Sequence, residues 1–371
     1  MRIAIDASTL STQGGPRTYV QGLLDALLQL DHDNEYVVFY NDDCHLGRFP
    51  RAKEVVLHGK SPLARLWREH VLLPRACRSE RIDLLHCPKS AVPFRAPCPV
   101  VVTLHDLIPI RHPETEKFAA RIYWRLQIPI AAKRNSFIIT DSEYARQEII
   151  DYFRVPPEKI RALMLGFNPV MLEPRDPVTA AAVGNKYGLP EGYILYVGTI
   201  QPRKNLITLI EAFYRVRKTG EITLKLVVVG RKGWLYNDLF AKIKELDLEQ
   251  EVIFTGFVPD EELPFIYSGA RVFAYLSLFE GFGLPPLEAM ACGAPVITSN
   301  TTSLPEVVGD AGIAVPPMAV AKVAEALSCV INNSEIAAAM RLKGVARART
   351  FSWESAARQT LEIYTEVFRN P

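Results

Sequence analysis

Two glutamates eight positions apart, Glu280 and Glu288, enclose a segment suited to binding a charged, hydroxyl-rich molecule. The segment follows a predicted strand at 271–275 and runs into a predicted helix. Its first residues are Gly281, Phe282, Gly283 and Leu284. The first amides of a helix attract anions, and carboxylates accept hydrogen bonds from hydroxyls. The segment therefore predicts a site for a ligand that joins an anion to a ribose or a hexose. The alternative is a Gly-Pro turn with two solvated glutamates.

Two cations, Arg203 and Lys204, follow an earlier strand in the same way. That strand, predicted at 193–198, ends at Gly198, and a predicted helix begins shortly after the cations. Paired cations beside a helix start can hold both phosphates of a diphosphate. An isolated pair of this kind is more often a solvated helix start, but its position at the end of a buried strand favours the diphosphate.

A glycine pair near the amino terminus, Gly14 and Gly15, lies between a predicted strand at 2–6 and a helix that runs to about Leu30. Glycines allow a backbone to approach a ligand closely, and the next residue, Pro16, suits the first turn of a helix. We regard the pair as a candidate phosphate contact. Neither the G-x-G-x-x-G spacing of dinucleotide sites nor a P-loop is present, so neither site is predicted.

His105 and Asp106 follow a predicted strand at 100–104. An imidazole at the carboxyl end of a parallel strand can serve a reaction centre, since ligands of such sheets bind there. The alternatives are a structural hydrogen bond for His105 and a loop-orienting role for Asp106. A further carboxylate, Glu306, follows Leu304-Pro305 and is either a site acid or a helix cap.

Short apolar runs that alternate with segments of helical period must position these residues. Runs that are apolar throughout indicate parallel strands buried on both faces. The chain is therefore predicted to contain two α/β domains, each with a doubly wound parallel sheet. Ten strands are predicted, at 2–6, 36–40, 82–86, 100–105, 136–140, 193–198, 224–230, 252–255, 271–275 and 295–298. A linker is expected at 172–190. The predicted domains are residues 1–175 and 190–352, and a closing helix at 353–371 is expected to pack with the first domain. The candidate residues would then face a cleft between two Rossmann-type domains.

The composition excludes several classes of protein. With 371 residues, 49% of them hydrophobic, the chain is predicted to be globular, and 43 Lys and Arg against 41 Asp and Glu give no general case for nucleic-acid binding. We expect a cytoplasmic protein without a signal peptide or a spanning helix, and with its 6 cysteines reduced. No metal site is expected, because Asp31-His32-Asp33 lies just past a predicted helix rather than at a strand end.

The motifs together resemble family 4 of the retaining glycosyltransferases, whose fold is called GT-B, over essentially the whole chain. The resemblance rests on these residues: Gly14-Gly15 with Tyr19, His105 through Pro109, Gly198-Thr199 with Pro202 through Asn205, Thr255 through Val258, Glu280 with Glu288 as E-x7-E, and Leu304-Pro305-Glu306. Two places in the sequence depart from the family pattern. Family members often have Glu where this chain has Gln201. They also often have G-G-I-G-R-Y where residues 14–19 of this chain read G-G-P-R-T-Y, with Pro16 and Arg17 in place of Ile and Gly.

The resemblance implies that a nucleotide sugar is the donor and that the enzyme needs no cofactor and no metal. Arg203 and Lys204 would bind the diphosphate and Glu288 the ribose. The donor sugar would be held by Glu280 and the backbone of 281–284. Gly15 would approach the phosphates and His105 the sugar, and the base would lie near Gly230, Val258 and Pro259. The implied reaction is transfer with retention, and our hypothesis for its mechanism is front-face displacement.

The identity of the substrates stays open. GDP-mannose is preferred as donor, with UDP-glucose or another UDP-sugar as the alternative, and the acceptor is a saccharide or a lipid-linked acceptor. A non-catalytic sugar-nucleotide-binding subunit is the alternative of another class. Two basic stretches of the first half, at 65–81 and 117–125, could bind an anionic membrane, although a solvated helix face is the more common explanation.

Overall fold

The computed structural model describes residues 1–12, 14–59, 61–115, 118–133, 136–220, 222–233 and 236–369. The chain divides into two compact units, of which the first comprises Met1–Gly166 with Phe351–Pro371 and the second Phe167–Thr350. Each unit is built on one parallel sheet with helices. The α/β fold class predicted from the sequence is confirmed.

The first unit contains a seven-stranded sheet in the order β3-β2-β1-β4-β5-β6-β7. Its strands are β1 (Arg2–Asp6), β2 (Glu35–Tyr40), β3 (Lys53–Val56), β4 (Leu84–Cys87), β5 (Val100–Thr103), β6 (Phe137–Thr140) and β7 (Ile160–Ala162). Its helices before Gly166 are α1 (Gly15–Leu30), α2 (Pro62–Trp67), α3 (Leu73–Ser79), α4 (Ile108–Arg111), α5 (Phe118–Lys133) and α6 (Glu143–Phe153), with a π-helix (Arg68–Leu72) between α2 and α3. The register places Ile5 of β1 opposite Val38 of β2 and His86 of β4.

The second unit contains a six-stranded sheet in the order β10-β9-β8-β11-β12-β13. Its strands are β8 (Ile194–Val197), β9 (Leu226–Val229), β10 (Val252–Gly256), β11 (Val272–Tyr275), β12 (Val296–Ser299) and β13 (Ile313–Val315). Its helices are α7 (Pro177–Tyr187), α8 (Leu206–Lys218), α9 (Asn237–Glu245), α10 (Leu263–Gly269), α11 (Leu284–Ala291), α12 (Leu304–Val308), α13 (Val320–Asn332) and α14 (Ser334–Ala348). Strand order reverses at β8 and β11, so the segments that follow these two strands meet at the switch point, where ligands of such folds bind.

Short one-turn 3₁₀ segments interrupt the loops of both units. They are Ser8–Ser11, Asp43–His45, Pro113–Thr115, Pro157–Lys159, Pro169–Leu172, Pro202–Lys204 and Gly309–Ala311. The segment Pro202–Lys204 matters for the site, because it turns the chain just beyond β8 and places two cations there.

The last helix, α15 (Trp353–Arg369), belongs to the first unit. The side chain of Ser352 accepts a hydrogen bond from the Ser355 amide at 3.1 Å. Trp353 packs edge-on against Tyr19 of α1, with 6.0 Å between ring centroids, and the Tyr364 hydroxyl lies 2.6 Å from Nδ1 of His86 on β4. The end of the chain is thus packed into the first unit by an aromatic contact and a polar one.

The division between the units lies earlier than the linker expected at 172–190. The chain passes from the first unit to the second between Gly166 and Phe167, and returns between Thr350 and Phe351. The turn-forming residues of the expected linker cap a helix instead: Asp176 accepts a hydrogen bond from the Thr179 amide at 2.8 Å, and Gly188 ends α7 in the left-handed region with φ of 62°.

Three short strands, β3, β7 and β13, were not among the ten predicted. All three lie at sheet edges and have only three or four residues, several of them half-exposed. An edge strand needs no continuous apolar run, because it is covered on fewer sides than a central strand.

Candidate functional site

Arg203, Lys204 and Glu280 form one ion cluster at the switch point of the second sheet. Nη1 of Arg203 lies 3.1 Å from Oε2 of Glu280, and Nζ of Lys204 lies 2.6 Å from Oε1. The Tyr275 hydroxyl donates to the same Oε1 at 3.0 Å and also contacts Nζ of Lys204. The two cations predicted for a diphosphate and the first glutamate of the predicted pair therefore meet, although 76 positions separate Lys204 from Glu280.

The charges of this cluster determine how Glu280 titrates. Burial alone would raise the pKa of Glu280, but the charges of Arg203 and Lys204, together with hydrogen bonds, lower it to about 2. The carboxylate is therefore ionised at any physiological pH. The three side chains together bear one net positive charge, and each of them is only 11–15% exposed.

The Asn205 side chain connects the loop after β8 to the loop after β11 by a hydrogen bond. Asn205 adopts the left-handed conformation with φ of 55°, and its side-chain amide donates to the carbonyls of Leu276 at 3.1 Å and Pro317 at 2.7 Å. Asn tolerates this conformation better than most residues. Asn205 therefore positions the neighbouring Arg203 and Lys204. This role accounts for an asparagine at the end of the segment Pro202 through Asn205.

Ser303 and Thr302 hold the loop that bears Glu280, and the sequence analysis identified neither. The Ser303 hydroxyl lies 2.9 Å from the Glu280 carbonyl and 2.6 Å from the Phe282 carbonyl, and the Glu280 amide donates to the Thr302 hydroxyl at 3.3 Å. Ser303 is fully buried. The only sequence signal was the position of these residues beside Leu304-Pro305-Glu306.

Helix α11 begins at Leu284 after Gly283, whose φ of 125° suits only glycine. We expected the first amides of this helix to attract an anion, but the residues of its first turn limit that contribution. The residues after Leu284 are Pro285 and Pro286, which have no N–H to donate. The first turn therefore retains one amide donor, that of Leu284, together with the helix dipole.

Glu288 lies one turn into α11 and is half-buried. The Tyr267 hydroxyl donates to its Oε2 at 2.9 Å. Burial raises the pKa of Glu288 to about 7, while the Tyr267 hydrogen bond works in the opposite direction. Unlike Glu280, this carboxyl has no cation beside it among the described residues and changes its charge near neutral pH.

Gly198, Gly230 and Val258 lie at or near the ends of β8, β9 and β10 and help to pack the sheet. A Cβ at Gly230 would lie 2.1 Å from the Gly198 carbonyl oxygen, and the Gly198 amide donates to the Val229 carbonyl at 2.9 Å. Val258 is buried. The glycine at 230 is thus required by the close approach of two strand ends, and the predicted contacts of these residues with a nucleotide stay predictions.

Glu306 lies in the first turn of α12, the helix that begins directly after Ser303. An acidic residue there interacts favourably with the helix dipole. The backbone carbonyl of Glu306 accepts a hydrogen bond from Arg347 at 2.6 Å. These observations favour a structural role for the residue, and its predicted role as a site acid stays a prediction.

In the first unit, Gly14 and Gly15 begin α1 at an exposed position. Gly14 has φ of 97°, and Pro16 lies in the first turn, as the sequence predicts. A Cβ built at either glycine would meet no described atom within 4 Å. Nothing in the described residues of the fold requires Gly15 to be a glycine, and its approach to the phosphates stays a prediction.

His105 is held by Asp141, a residue that the sequence analysis did not identify. Nδ1 of His105 lies 2.6 Å from Oδ2 of Asp141, which follows β6 and is buried. Burial lowers the pKa of His105, but the Asp141 charge and hydrogen bond outweigh it and raise the pKa above its ordinary value. Asp106 accepts a hydrogen bond from the Ile108 amide at 3.0 Å, a contact that orients the loop.

A second histidine, His86, connects this region to the closing helix. Its Nε2 lies 2.9 Å from the Thr103 hydroxyl, which in turn contacts the Tyr19 hydroxyl at 2.9 Å. Burial and the nearby His105 lower the pKa of His86 to about 3, so the ring is neutral at physiological pH. Tyr19 packs edge-on against His105, with 5.0 Å between ring centroids.

Asp141→Asn is expected to destabilise the protein in a pH-dependent way. A group whose folded pKa is raised contributes stability below its unfolded pKa, about 6.5, and loses that contribution as the pH rises through the folded value. The difference in unfolding free energy between wild type and variant should therefore be about 1–3 kcal/mol at pH 6 and smaller at pH 9. Urea unfolding at both pH values measures it, with Asp151→Asn on α6 as control. A pH-independent difference would contradict the pairing.

One of the basic stretches considered for membrane contact contains a buried member. Arg68 is 1% exposed, and its guanidinium lies 3.0 Å from Asp6 at the end of β1. Asp6 in turn lies 3.2 Å from Lys89, which pairs with Glu69 at 2.6 Å. The expectation that Arg68 could touch a membrane is therefore wrong, because a buried ion network holds it. Lys117 of the other stretch lies outside the described residues.

None of the helices in the described part of the chain combines the length and the apolar character of a membrane-crossing segment.

Residues 185–347 match the family described as Glycosyl transferases group 1, and residues 13–169 match Glycosyltransferase Family 4. The chain is 37% identical over 293 residues to O-antigen chain mannosyltransferase B of Escherichia coli, an alignment that covers 78% of this chain and 76% of that protein. It is 28% identical over 291 residues to the serotype-specific mannosyltransferase WbdA of Escherichia coli. That alignment covers 76% of this chain but only 35% of WbdA.

Solved structures resemble this chain in fold. Sucrose-phosphate synthase from Thermosynechococcus elongatus superposes with a TM-score of 0.80 at 21% identity, over 100% of both chains. HepE from Anabaena, solved in complex with UDP-glucose, gives a TM-score of 0.76 at 19% identity, over 99% of this chain and 100% of HepE. At these identities the likeness concerns the fold.

Proposed function

The chain belongs to the glycosyl transferases of group 1 and has their GT-B fold, and on that premise we propose that it moves a mannosyl group from GDP-mannose to a saccharide or lipid-linked acceptor. The preference for mannose is supported by relatives named as mannosyltransferases, two of them from O-antigen synthesis or serotype specificity. The corresponding process here would be the synthesis of a polysaccharide, and the cytoplasmic location expected from the sequence stays a prediction.

The observation that carries the proposal is the cluster of Arg203, Lys204 and Glu280. In glycosyl transfer from a nucleotide sugar, negative charge develops on the departing diphosphate. Two fixed cations stabilise that charge without having to reorganise, and such stabilisation is often the largest single contribution to catalysis. We propose that these cations, with the dipole of α11, act without a metal.

We propose retention of the sugar configuration on the resemblance to family 4, and the state of Glu280 bears on how retention would be achieved. Both of its carboxylate oxygens are engaged by cations, and its pKa of about 2 makes it a weak base. A nucleophile of a double-displacement mechanism would need an oxygen free to attack the sugar. We therefore propose front-face displacement, in which the acceptor attacks from the side of the leaving diphosphate and that diphosphate receives the acceptor's proton.

Glu288 is proposed to bind the ribose. Tyr267 occupies Oε2, whereas Oε1 accepts no hydrogen bond from the part of the chain that the structure describes. Ribose hydroxyls donate more strongly to an ionised carboxylate than to a neutral carboxyl group. Nucleotide binding should therefore be linked to the ionisation of Glu288.

This linkage predicts a pH dependence of binding. Because the pKa of Glu288 is about 7, the affinity for a nucleoside diphosphate should rise about tenfold between pH 6 and pH 8 as the carboxylate forms. Titration calorimetry at both values measures it. Glu288→Gln is the control that subtracts the titration of the nucleotide itself, and it should show the weaker pH dependence. Equal dependence in both proteins would remove Glu288 from the ribose site.

A nucleotide panel tests the proposed function. GDP, UDP, dTDP and ADP are compared by thermal unfolding, where a ligand at a hundred times its dissociation constant stabilises the protein by about 2.7 kcal/mol. GDP is expected to give the largest shift, and a larger shift with UDP would select the UDP-sugar alternative. Stabilisation by none of the four would contradict a donor site, and binding without turnover of the cognate sugar nucleotide would favour the non-catalytic subunit.

A further inference from the structure

Four hydroxyl side chains in the segment after β12 contact the backbone of the loop that bears Glu280. Ser299 donates to the Ser277 carbonyl at 2.6 Å. The Ser303 hydroxyl lies 2.9 Å from the Glu280 carbonyl and 2.6 Å from the Phe282 carbonyl. We refer to the four residues as the hydroxyl clamp; they are Ser299, Thr301, Thr302 and Ser303. The clamp therefore holds the loop both before and after its glutamate.

Thr302 is a member of the clamp whose backbone is strained. Its φ is 59°, in the left-handed region. A β-branched side chain is an outlier there, because its Cβ is crowded by a backbone carbonyl, whereas glycine adopts the region readily. The other described residues with positive φ, glycines aside, are Arg81, Arg154, Asn205 and Asp247, and none of them is β-branched. Strain of this kind persists only where the surrounding structure enforces it, and it is concentrated at functional sites.

The Thr302 hydroxyl makes contacts that a glycine could not supply. It donates to the Thr301 carbonyl at 2.7 Å. A hydroxyl has one hydrogen to donate, so this bond leaves the oxygen oriented as an acceptor. The Glu280 amide donates to that oxygen at 3.3 Å. Thr302 therefore contacts the backbone of the very residue whose carboxylate belongs to the ion cluster.

We propose that Thr302 is a positioning residue for sugar transfer, kept in a strained conformation because its hydroxyl fixes the backbone of Glu280. This role rests on the proposed function, in which Glu280 and the backbone of 281–284 hold the donor sugar. Displacing such groups by about 1 Å can cost about 10²-fold in rate. A hydrogen-bonded support for the loop prevents that displacement. Stability is thus lost at position 302 in favour of geometry at position 280.

Three substitutions of Thr302 separate the effect of the hydroxyl from that of the strain. Thr302→Ser keeps the hydroxyl and should turn over at nearly the wild-type rate. Thr302→Val and Thr302→Gly both remove it, so kcat should fall about 10- to 100-fold in both. The affinity for GDP or UDP, whichever the wild type binds, should change less than about threefold. Because glycine relieves the strain and valine does not, Thr302→Gly should unfold about 2–4 °C above Thr302→Val.

Thr219, at the end of α8, is the matched control. Its hydroxyl also donates to a backbone carbonyl, that of Val216 at 2.7 Å, but its φ of −74° is ordinary. There is no strain for glycine to relieve at this position. Thr219→Gly should therefore gain no stability over Thr219→Val, and both variants should turn over as the wild type does.

Binding and turnover of the sugar nucleotide by the wild type are measured first. If neither occurs, the proposed function fails, and the role of Thr302 fails with it. If both occur, wild-type turnover in Thr302→Val and Thr302→Gly would overturn the positioning role alone. Equal unfolding temperatures of these two variants would also overturn it, because the position would then carry no strain.

Discussion

Replacing either cation of the donor cluster by alanine is expected to lower kcat about 10²- to 10³-fold, equivalent to about 2.7–4 kcal/mol of transition-state stabilisation. Arg203 and Lys204 would each face the charge that develops on the diphosphate, and no other cation contacts Glu280 among the described residues. The fold-loss in kcat of the double variant should be smaller than the product of the two single-variant losses, because both residues bind the same diphosphate. Steady-state turnover of the cognate sugar nucleotide measures the loss.

Stability must be separated from catalysis in this experiment. Removing one partner of a buried ion pair typically destabilises a protein by about 3–5 kcal/mol, because Glu280 would keep its charge with less compensation. Lys204→Met is therefore compared with wild type, and again within a Glu280→Gln background, where the orphaned charge is absent. Arg215→Ala, an exposed arginine on α8, is the matched control. Unchanged turnover in well-folded Arg203→Ala and Lys204→Ala variants would refute the diphosphate assignment.

Glu280→Gln is expected to change binding and catalysis in opposite directions. The substitution raises the net charge of the cluster from one positive charge to two, so a nucleoside diphosphate should bind about tenfold more tightly. Turnover should nevertheless fall about 10²-fold or more, since the proposed hold on the donor sugar is lost. The pKa of about 2 means that wild-type Glu280 is ionised throughout the assay range, so both effects should be independent of pH above about 5.

Calorimetry with the nucleoside diphosphate and steady-state kinetics with the sugar nucleotide measure the two effects of Glu280→Gln separately. Glu325→Gln on α13 is the control. It removes one negative charge, as Glu280→Gln does, but from a surface residue that pairs with Lys322, and it should alter neither diphosphate affinity nor turnover. Weaker diphosphate binding in Glu280→Gln would show that Glu280 helps to hold the nucleotide, and it would contradict the charge argument.

The sequence predicts the central strands and the switch-point residues because both depend on local patterns. Buried parallel strands such as β8 and β11 consist of continuous apolar runs, and their carboxyl ends must share one edge of the sheet. That rule alone brings Arg203 and Glu280 together. The prolines after Leu284 were also visible in the sequence, and their missing N–H groups already limit the anion-binding capacity of α11.

Other features depend on partners that are distant in the chain and have no pattern of their own. Asp141 and Ser303 are small polar residues among many, and only the folded structure brings them to His105 and to the Glu280 loop. Arg68 resembles its solvated neighbours in a basic stretch, yet it pairs with Asp6, 62 positions earlier. The exposure of Phe118, Ile122 and Leu126 was equally hidden, since their spacing alone would suit a buried helix face.

A crystal structure of the protein with GDP or UDP bound tests the central claim most directly. We expect the two phosphates against Arg203 and Lys204, near the amide of Leu284, and the ribose hydroxyls on Oε1 of Glu288. A nucleotide seated elsewhere, with the ion cluster of the second unit untouched at saturating concentration, would contradict the account.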